Sequence, residues 1–402
     1  MRVSSRSLPV VRLLPLTFSS SLIFVSPPLI MARADESTPP PAAHTSAHAQ
    51  AVDFNNRAVQ AAQAGNFDEA TSLMRQALAR DPSDAQFRQN LGGMLTDWAM
   101  RQVKPGHLED AIALLQQAME YTPESPQTLL WLADLTYIVH NDTKTALALW
   151  KRAYLHVPDA KRQAVAQRIA QAERDQSIER TFRERMTEHF RLRFEGASDN
   201  EEAVRILERA LEDAYARLVS TLGSTPPLLT VIVYTSQQFT RVTGRRDWAL
   251  GLYDGRLRLR LDEVGTEWGQ GVVVHELAHA FLAETYGPTI PTWVHEGFAQ
   301  TQEPPMPMTD HQQQLLASIT ARTAWVPLKW LDRRFEQPSN FEDVERAYVQ
   351  SRYVMQELIT RAGLGRVQAW FRRLADGQPL EQAFDQALAP LRWARVDQGA
   401  FE

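Results

Sequence analysis

The sequence predicts an α-helical repeat array followed by an α+β domain with a helical C-terminal part. Three observations predict it. Four positions recur in three copies between residues 51 and 158. Near residue 186 the apolar period changes from helical to alternating, as strands require. From residue 266 the pattern is helical again and broken by prolines. The chain has 402 residues and 44% apolar content, enough for two or three packed domains.

The N-terminus is read first because it decides what the mature chain is. Arg2, Arg6 and Arg12 precede the short apolar stretch Leu13 to Val25, and Ala32-Arg33-Ala34 stands just before Asp35. Charge, apolar core and small-residue site in that order predict a secretory signal peptide over 1–34. The expected destination is across the inner membrane, periplasmic or extracellular. The apolar stretch is too short to span a bilayer comfortably, so no stable membrane insertion is expected after cleavage. Without residues 1–34 the chain carries 39 Lys+Arg against 48 Asp+Glu. No basic block remains, which argues against nucleic acid as a partner. There is no cysteine, hence no disulfide, thiolate ligand or cysteine nucleophile. Residues 35–50 are rich in Pro, Ala, Ser and Thr and read as a flexible linker holding His44 and His48.

The repeats come next, over 51–158. Ala70, Ala111 and Ala146 align. Four residues later stand Met74, Leu115 and Trp150, seven later Ala77, Ala118 and Ala153, and twelve later Pro82, Pro123 and Pro158. Leu91-Gly92 and Leu132-Ala133 occupy a small-residue crossing point. The pattern resembles three tetratricopeptide repeats, whose helix pairs recur about every 34 residues. Spacings of 41 and 35 place an insertion near Trp98 to Lys104. The resemblance implies a solenoid that either binds a protein partner on its concave face or packs as a structural shoulder. Residues 159–185 are charged and helical, and read as a linking helix.

The second domain is placed at 186–390, with 391–402 as a tail. Phe190, Leu192 and Phe194 alternate with arginines, as in a half-buried strand. Residues 200–222 are helical and end at Gly223. Leu228 to Tyr234 is a continuous apolar run, a buried strand. Leu257, Leu259 and Leu261 alternate with Arg256, Arg258 and Arg260, a third strand with one wet face. Helices are expected over 266–286 and from Pro291 to about 303, then over 344–362 and 364–389.

The chemistry lies at His275-Glu276-Leu277-Ala278-His279 and Trp293-Val294-His295-Glu296-Gly297. Helical residues four apart stand about 40° apart around the axis, so His275 and His279 can present ring nitrogens to one ion. Glu276 is rotated by about 100° from His275 and falls beside that ion, where a general base for a metal-activated water belongs. A catalytic zinc usually takes three protein ligands. Glu296 is the natural third, because Gly287-Pro288 and Pro291 let a second helix fold back. Gly271, one turn before His275, leaves space in front of the ion. His295 points elsewhere on its helix and reads as a surface or outer residue.

From about 186 to 390 the chain resembles the gluzincin metallopeptidases, and especially the bacterial peptidase MA-like domains. The carrying residues are the two segments above and Gly251-Leu-Tyr-Asp-Gly-Arg-Leu-Arg-Leu261. The resemblance implies a zincin-like metallopeptidase domain in which His275, His279 and Glu296 bind Zn2+ and Glu276 is the base. It also implies an edge strand, here Gly255 to Leu261, that pairs with extended substrate. Gluzincins often carry a carboxylate four residues after the glutamate ligand. Here that position is Gln300, with Glu303 as a substitute. A tyrosine that stabilises the oxyanion corresponds to Tyr348, with Tyr353 as the alternative. The expected function is therefore an exported zinc-dependent metallopeptidase acting on a peptide or protein substrate, its repeats recruiting that substrate or a partner. The alternative is a non-catalytic assembly scaffold with a structural metal site.

Overall fold

The computed structural model describes residues 42–104, 106–196, 201–244, 251–262, 264–287 and 289–401. The signal-peptide reading of 1–34 and the first part of the linker lie outside the described residues. The chain divides into two compact units, one within Ser21–Gln176 and one from Ser177 onward.

The first unit is a run of helices, α1 (Ala42–Gln63), α2 (Phe67–Arg80), α3 (Ala85–Gln102), α4 (Leu108–Tyr121), α5 (Pro126–Ile138), α6 (Thr143–Tyr154) and the start of α7 (Asp159–Glu179). From α1 to α6 each packs on the next. Their starts follow capping chemistry. The Asp84 carboxylate accepts from the backbone of Gln86 and Phe87 at α3, and Ser125 with Pro126 opens α5. All six aligned alanines are fully buried, so the repeated positions are the helix contacts. A Cβ at Gly92 would stand 2.4 Å from Thr122 Oγ1, which explains a small residue there. The insertion in the second pair lengthens α3 to 18 residues, against 13 for α5. One expectation is corrected. Residues 42–50, read as linker, belong to α1. Alanine is the strongest helix former, and His48 is anchored 3.0 Å from Asp81 and stacked on Phe87.

The second unit contains β1 (Phe182–Met186), β2 (Phe190–Glu195), α8 (Glu201–Leu222), β3 (Leu229–Tyr234), α9 (Ser236–Thr243), β4 (Gly251–Tyr253) and β5 (Leu257–Arg260). Helices follow: α10 (Glu267–Tyr286), α11 (Thr292–Gln302), α12 (Asp310–Thr320), α13 (Leu331–Glu336), α14 (Phe341–Ala362), α15 (Leu364–Ala375), α16 (Leu380–Ala387) and α17 (Trp393–Val396). The sheet order is β1-β2-β3-β5-β4. β2, β3 and β5 run parallel, with β1 and β4 antiparallel at the edges. One face packs with α8, α10 and the C-terminal helices into the main core. On the other face Ile232, Tyr234, Phe239, Val242 and Leu252 form a second core, closed by Ile178 and Phe182.

Three further expectations change. The linking helix stops at Glu179, and residues 182–186 are a strand, because pairing with β2 outweighs the local helical preference of a charged segment. The arginine strand β5 is interior rather than an edge, and its arginines are not in water. Arg256 and Arg258 are fully buried. Arg258 donates to Asp254 and to the Tyr234 hydroxyl, and Glu179 lies against Arg193, Arg256 and Arg258. Buried carboxylates supply the compensation that water would otherwise give. Last, the tail is core: Trp393 packs on Phe384, and Phe401 on Trp325 and Tyr353.

Candidate active site

α10 begins where the Thr266 hydroxyl accepts from Gly269 N, and stops at Gly287, whose φ of 73° suits glycine. It carries His275, Glu276 and His279, with exposures of 5%, 0% and 0%. Pro291 then leads into α11, which carries the fully buried Glu296. The start of α11 has no side-chain cap of its own, and Asp332 on α13 accepts from Trp293 N at 2.8 Å instead. Nothing near Asp332 in the sequence marks this role. The cue available was the N-cap position of α11, occupied by a proline that has no side-chain acceptor.

The fold-back brings three donors together. His275 Nε2 and His279 Nε2 face each other at 3.1 Å. Glu296 Oε2 lies 3.3 Å from His275 Nε2 and 3.6 Å from His279 Nε2. A tetrahedral zinc with bonds of about 2.0–2.2 Å separates its ligand atoms by about 3.4 Å. The three observed separations bracket that distance. Glu296 Oε2 is buried with no hydrogen-bond partner among the described residues, which a cation between the three atoms would satisfy. The electrostatics agree. Burial opposes charge on His275, but the Glu296 and Glu303 carboxylates against its two ring nitrogens hold its pKa well above the usual range. Burial opposes charge on Glu296 as well, yet His279 and His275 push its pKa down to about 2. The cluster calls for positive charge at its centre, and nitrogen and oxygen donors of this kind suit zinc.

The surrounding residues sort as follows. Glu303 reaches back from the end of α11, and its Oε1 accepts from His275 Nδ1 at 2.6 Å. Gln300 does not touch either histidine. Its amide donates to the carbonyls of Glu296 and Tyr348, both at 3.1 Å, and so ties α11 to α14. The Tyr348 hydroxyl donates to Glu296 Oε1 at 3.3 Å, whereas Tyr353 packs against Phe401, so of the two only Tyr348 joins the trio. His295 is half-buried with its ring 5.6 Å from that of His279. Burial, and then the charge of His279, lower its pKa to about 3. Gly271 is not a steric requirement, since a Cβ there would meet only Pro304 Cδ at 3.7 Å. Gly297 and Gly251, which the resemblance quotes without a steric role, are tighter. A Cβ at Gly297 would stand 2.4 Å from the Ser351 carbonyl oxygen, and one at Gly251 would stand 2.6 Å from Glu276 Cγ.

Two histidines and a glutamate converge on one point, and the fully buried Glu276 lies on the same helix as the two histidines. Residues 216–389 match the family model of the Peptidase MA superfamily, which supports a metallopeptidase-like domain over that stretch. Peptidases of that superfamily are typically metal-dependent, in keeping with the buried His275–His279–Glu296 group. No curated protein matches the chain.

Proposed function

We propose that the protein is an exported zinc metallopeptidase that hydrolyses peptide bonds with an activated water. The observation that carries the reading is the His275–His279–Glu296 trio, whose donor atoms all lie within 4.8 Å of one another, beside the buried Glu276. His275, His279 and Glu296 would hold the ion. Bound zinc would supply Lewis acidity for the scissile carbonyl and lower the pKa of a water to about 7. Glu276 takes the proton of the attacking water and returns it to the leaving amine. Glu303 fixes the ring and tautomer of His275. Tyr348 braces Glu296, and its hydroxyl is our choice of donor to the developing oxyanion. β4, the sheet edge beside α10, replaces β5 as the strand that pairs with extended substrate.

In the same reading the N-terminal helices are tetratricopeptide repeats that recruit a substrate or partner, supported by the recurring buried alanines. Export rests on the signal-like order of residues 1–34. No helix among the described residues is long and apolar enough to cross a membrane.

The test compares wild type with Glu276→Ala for metal content and for cleavage of a mixed peptide library. Stoichiometric zinc in both proteins, with hydrolysis only in the wild type, is expected. Equal hydrolysis by both removes Glu276 as the base. Metal-free wild type removes the trio as a zinc site. Zinc in both with no cleavage by either favours the scaffold reading. N-terminal sequencing of protein recovered from periplasm checks export, with a start near Asp35 expected and an intact Met1 opposing it.

A further inference from the structure

We propose that Gly251 is a positioning residue: having no side chain, it lets β4 lie directly on Glu276 and so sets the place of that carboxylate. The inference rests on the reading of Glu276 as the base. A Cβ at 251 would stand 2.6 Å from Glu276 Cγ, 2.7 Å from Val272 Cγ1 and 3.0 Å from Glu276 Oε1. Carbon atoms pack at about 3.5–4.0 Å, so a methyl at 251 would overlap the middle of the Glu276 side chain and press on its end.

Neither side can retreat. Glu276 Cγ is two bonds from the α10 backbone, and the residue is fully buried. β4 is held by its pairing with β5, Gly251 opposite Leu259 and Tyr253 opposite Leu257. Leu252 anchors the strand from its other face, 4% exposed among Ile232, Tyr234, Phe239 and Val242. An added methyl must therefore turn the carboxylate rather than lift the strand. Gly265 and Gly271 do not share this constraint: a Cβ at Gly265 would meet nothing within 4 Å, and one at Gly271 only Pro304 Cδ at 3.7 Å. Because β4 is also the edge proposed to pair with substrate, one residue sets the distance between bound peptide backbone and base.

The experiment compares zinc-loaded wild type, Gly251→Ala, Val242→Ala and Glu276→Ala on a fluorogenic peptide chosen from a mixed library. It also compares crystal structures of the first two without substrate. For Gly251→Ala, zinc content and KM stay near wild type and kcat falls on the order of 100-fold, the scale of a 1 Å misplacement. Its structure shows the Glu276 carboxylate displaced. Val242→Ala loosens the small core under Leu252 without touching β4 itself, so its melting temperature falls while kcat holds. If Gly251→Ala does not fold, Gly251→Ala/Val272→Ala relieves the valine contact and leaves only that with Glu276. A Glu276 carboxylate that stays in place with kcat near wild type overturns the inference. So does an equal kcat loss in Val242→Ala, which would make the support of the strand the cause. Full activity in Glu276→Ala instead defeats the base assignment, and the two crystal structures still decide whether Gly251 seats the carboxylate.

Discussion

His275 and His279 differ in what holds the second nitrogen of each ring. His275 Nδ1 is gripped by Glu303 at 2.6 Å, while His279 Nδ1 has no hydrogen-bond partner among the described residues. The orientation of one ligand is fixed by a carboxylate and that of the other by packing alone. Glu303→Gln is therefore expected to weaken zinc binding about 10–100-fold, measured by competition with a chromogenic chelator. An unchanged affinity would show that Glu303 does not hold the ligand. At this scale much was legible. The four-residue spacing of the histidines and the rotated glutamate follow from helix geometry, which a sequence carries in full. Glu303 was legible only as a substitute for the carboxylate missing at Gln300. Its backbone is extended at the end of α11, with φ −63° and ψ 149°, and helical spacing says nothing of where such a residue reaches.

α11 is the element that makes the site, and two contacts from elsewhere hold it. At Gly297 it crosses α14 so closely that a methyl would stand 2.4 Å from the Ser351 carbonyl oxygen. Gly297→Ala should cost about 1–3 kcal/mol and lower the melting temperature, since the backbone itself must shift. A melting curve superimposable on wild type would refute the close crossing. At its start α11 borrows Asp332, whose pKa burial raises to about 6 from an ordinary value of 3.8. A raised carboxylate favours folding while protonated. That contribution is complete below about pH 4 and is lost as pH rises through about 6. Asp332→Asn keeps an acceptor for Trp293 N and removes the buried charge. The melting temperature of the variant relative to wild type should thus rise between pH 4 and pH 7. A constant difference across that range would contradict the assignment. α10 and α11 were readable from their caps, glycines and prolines. The helix over 344–362 was readable too, but not its crossing with α11, nor α13, because a helix crossing leaves no local mark beyond a small residue.

The whole molecule is two units, and the buried His275–His279–Glu296 group lies in the second. An ion that binds only the folded second unit stabilises it by mass action. Chelation should lower one of two calorimetric transitions and leave the other in place; equal shifts in both would contradict separate units. At this scale the sequence by itself determined the N-terminal helices with their recurring alanines, the strand–helix alternation that follows, and the trio with its neighbouring glutamate. Each is written in a period of 2 or 3.6 residues, and periodicity is local. Only the tertiary structure decided that the arginine strand is interior, that the C-terminal residues are core, and that β4 lies on Glu276. It also set Tyr348 rather than Tyr353 beside the trio. The physical reason is common to all four. Leu257 to Leu261 alternates as well for a buried ion network as for a wet face. What separates the two is the presence of Glu179, 79 residues from Arg258 in the chain, at 3.4 Å in space.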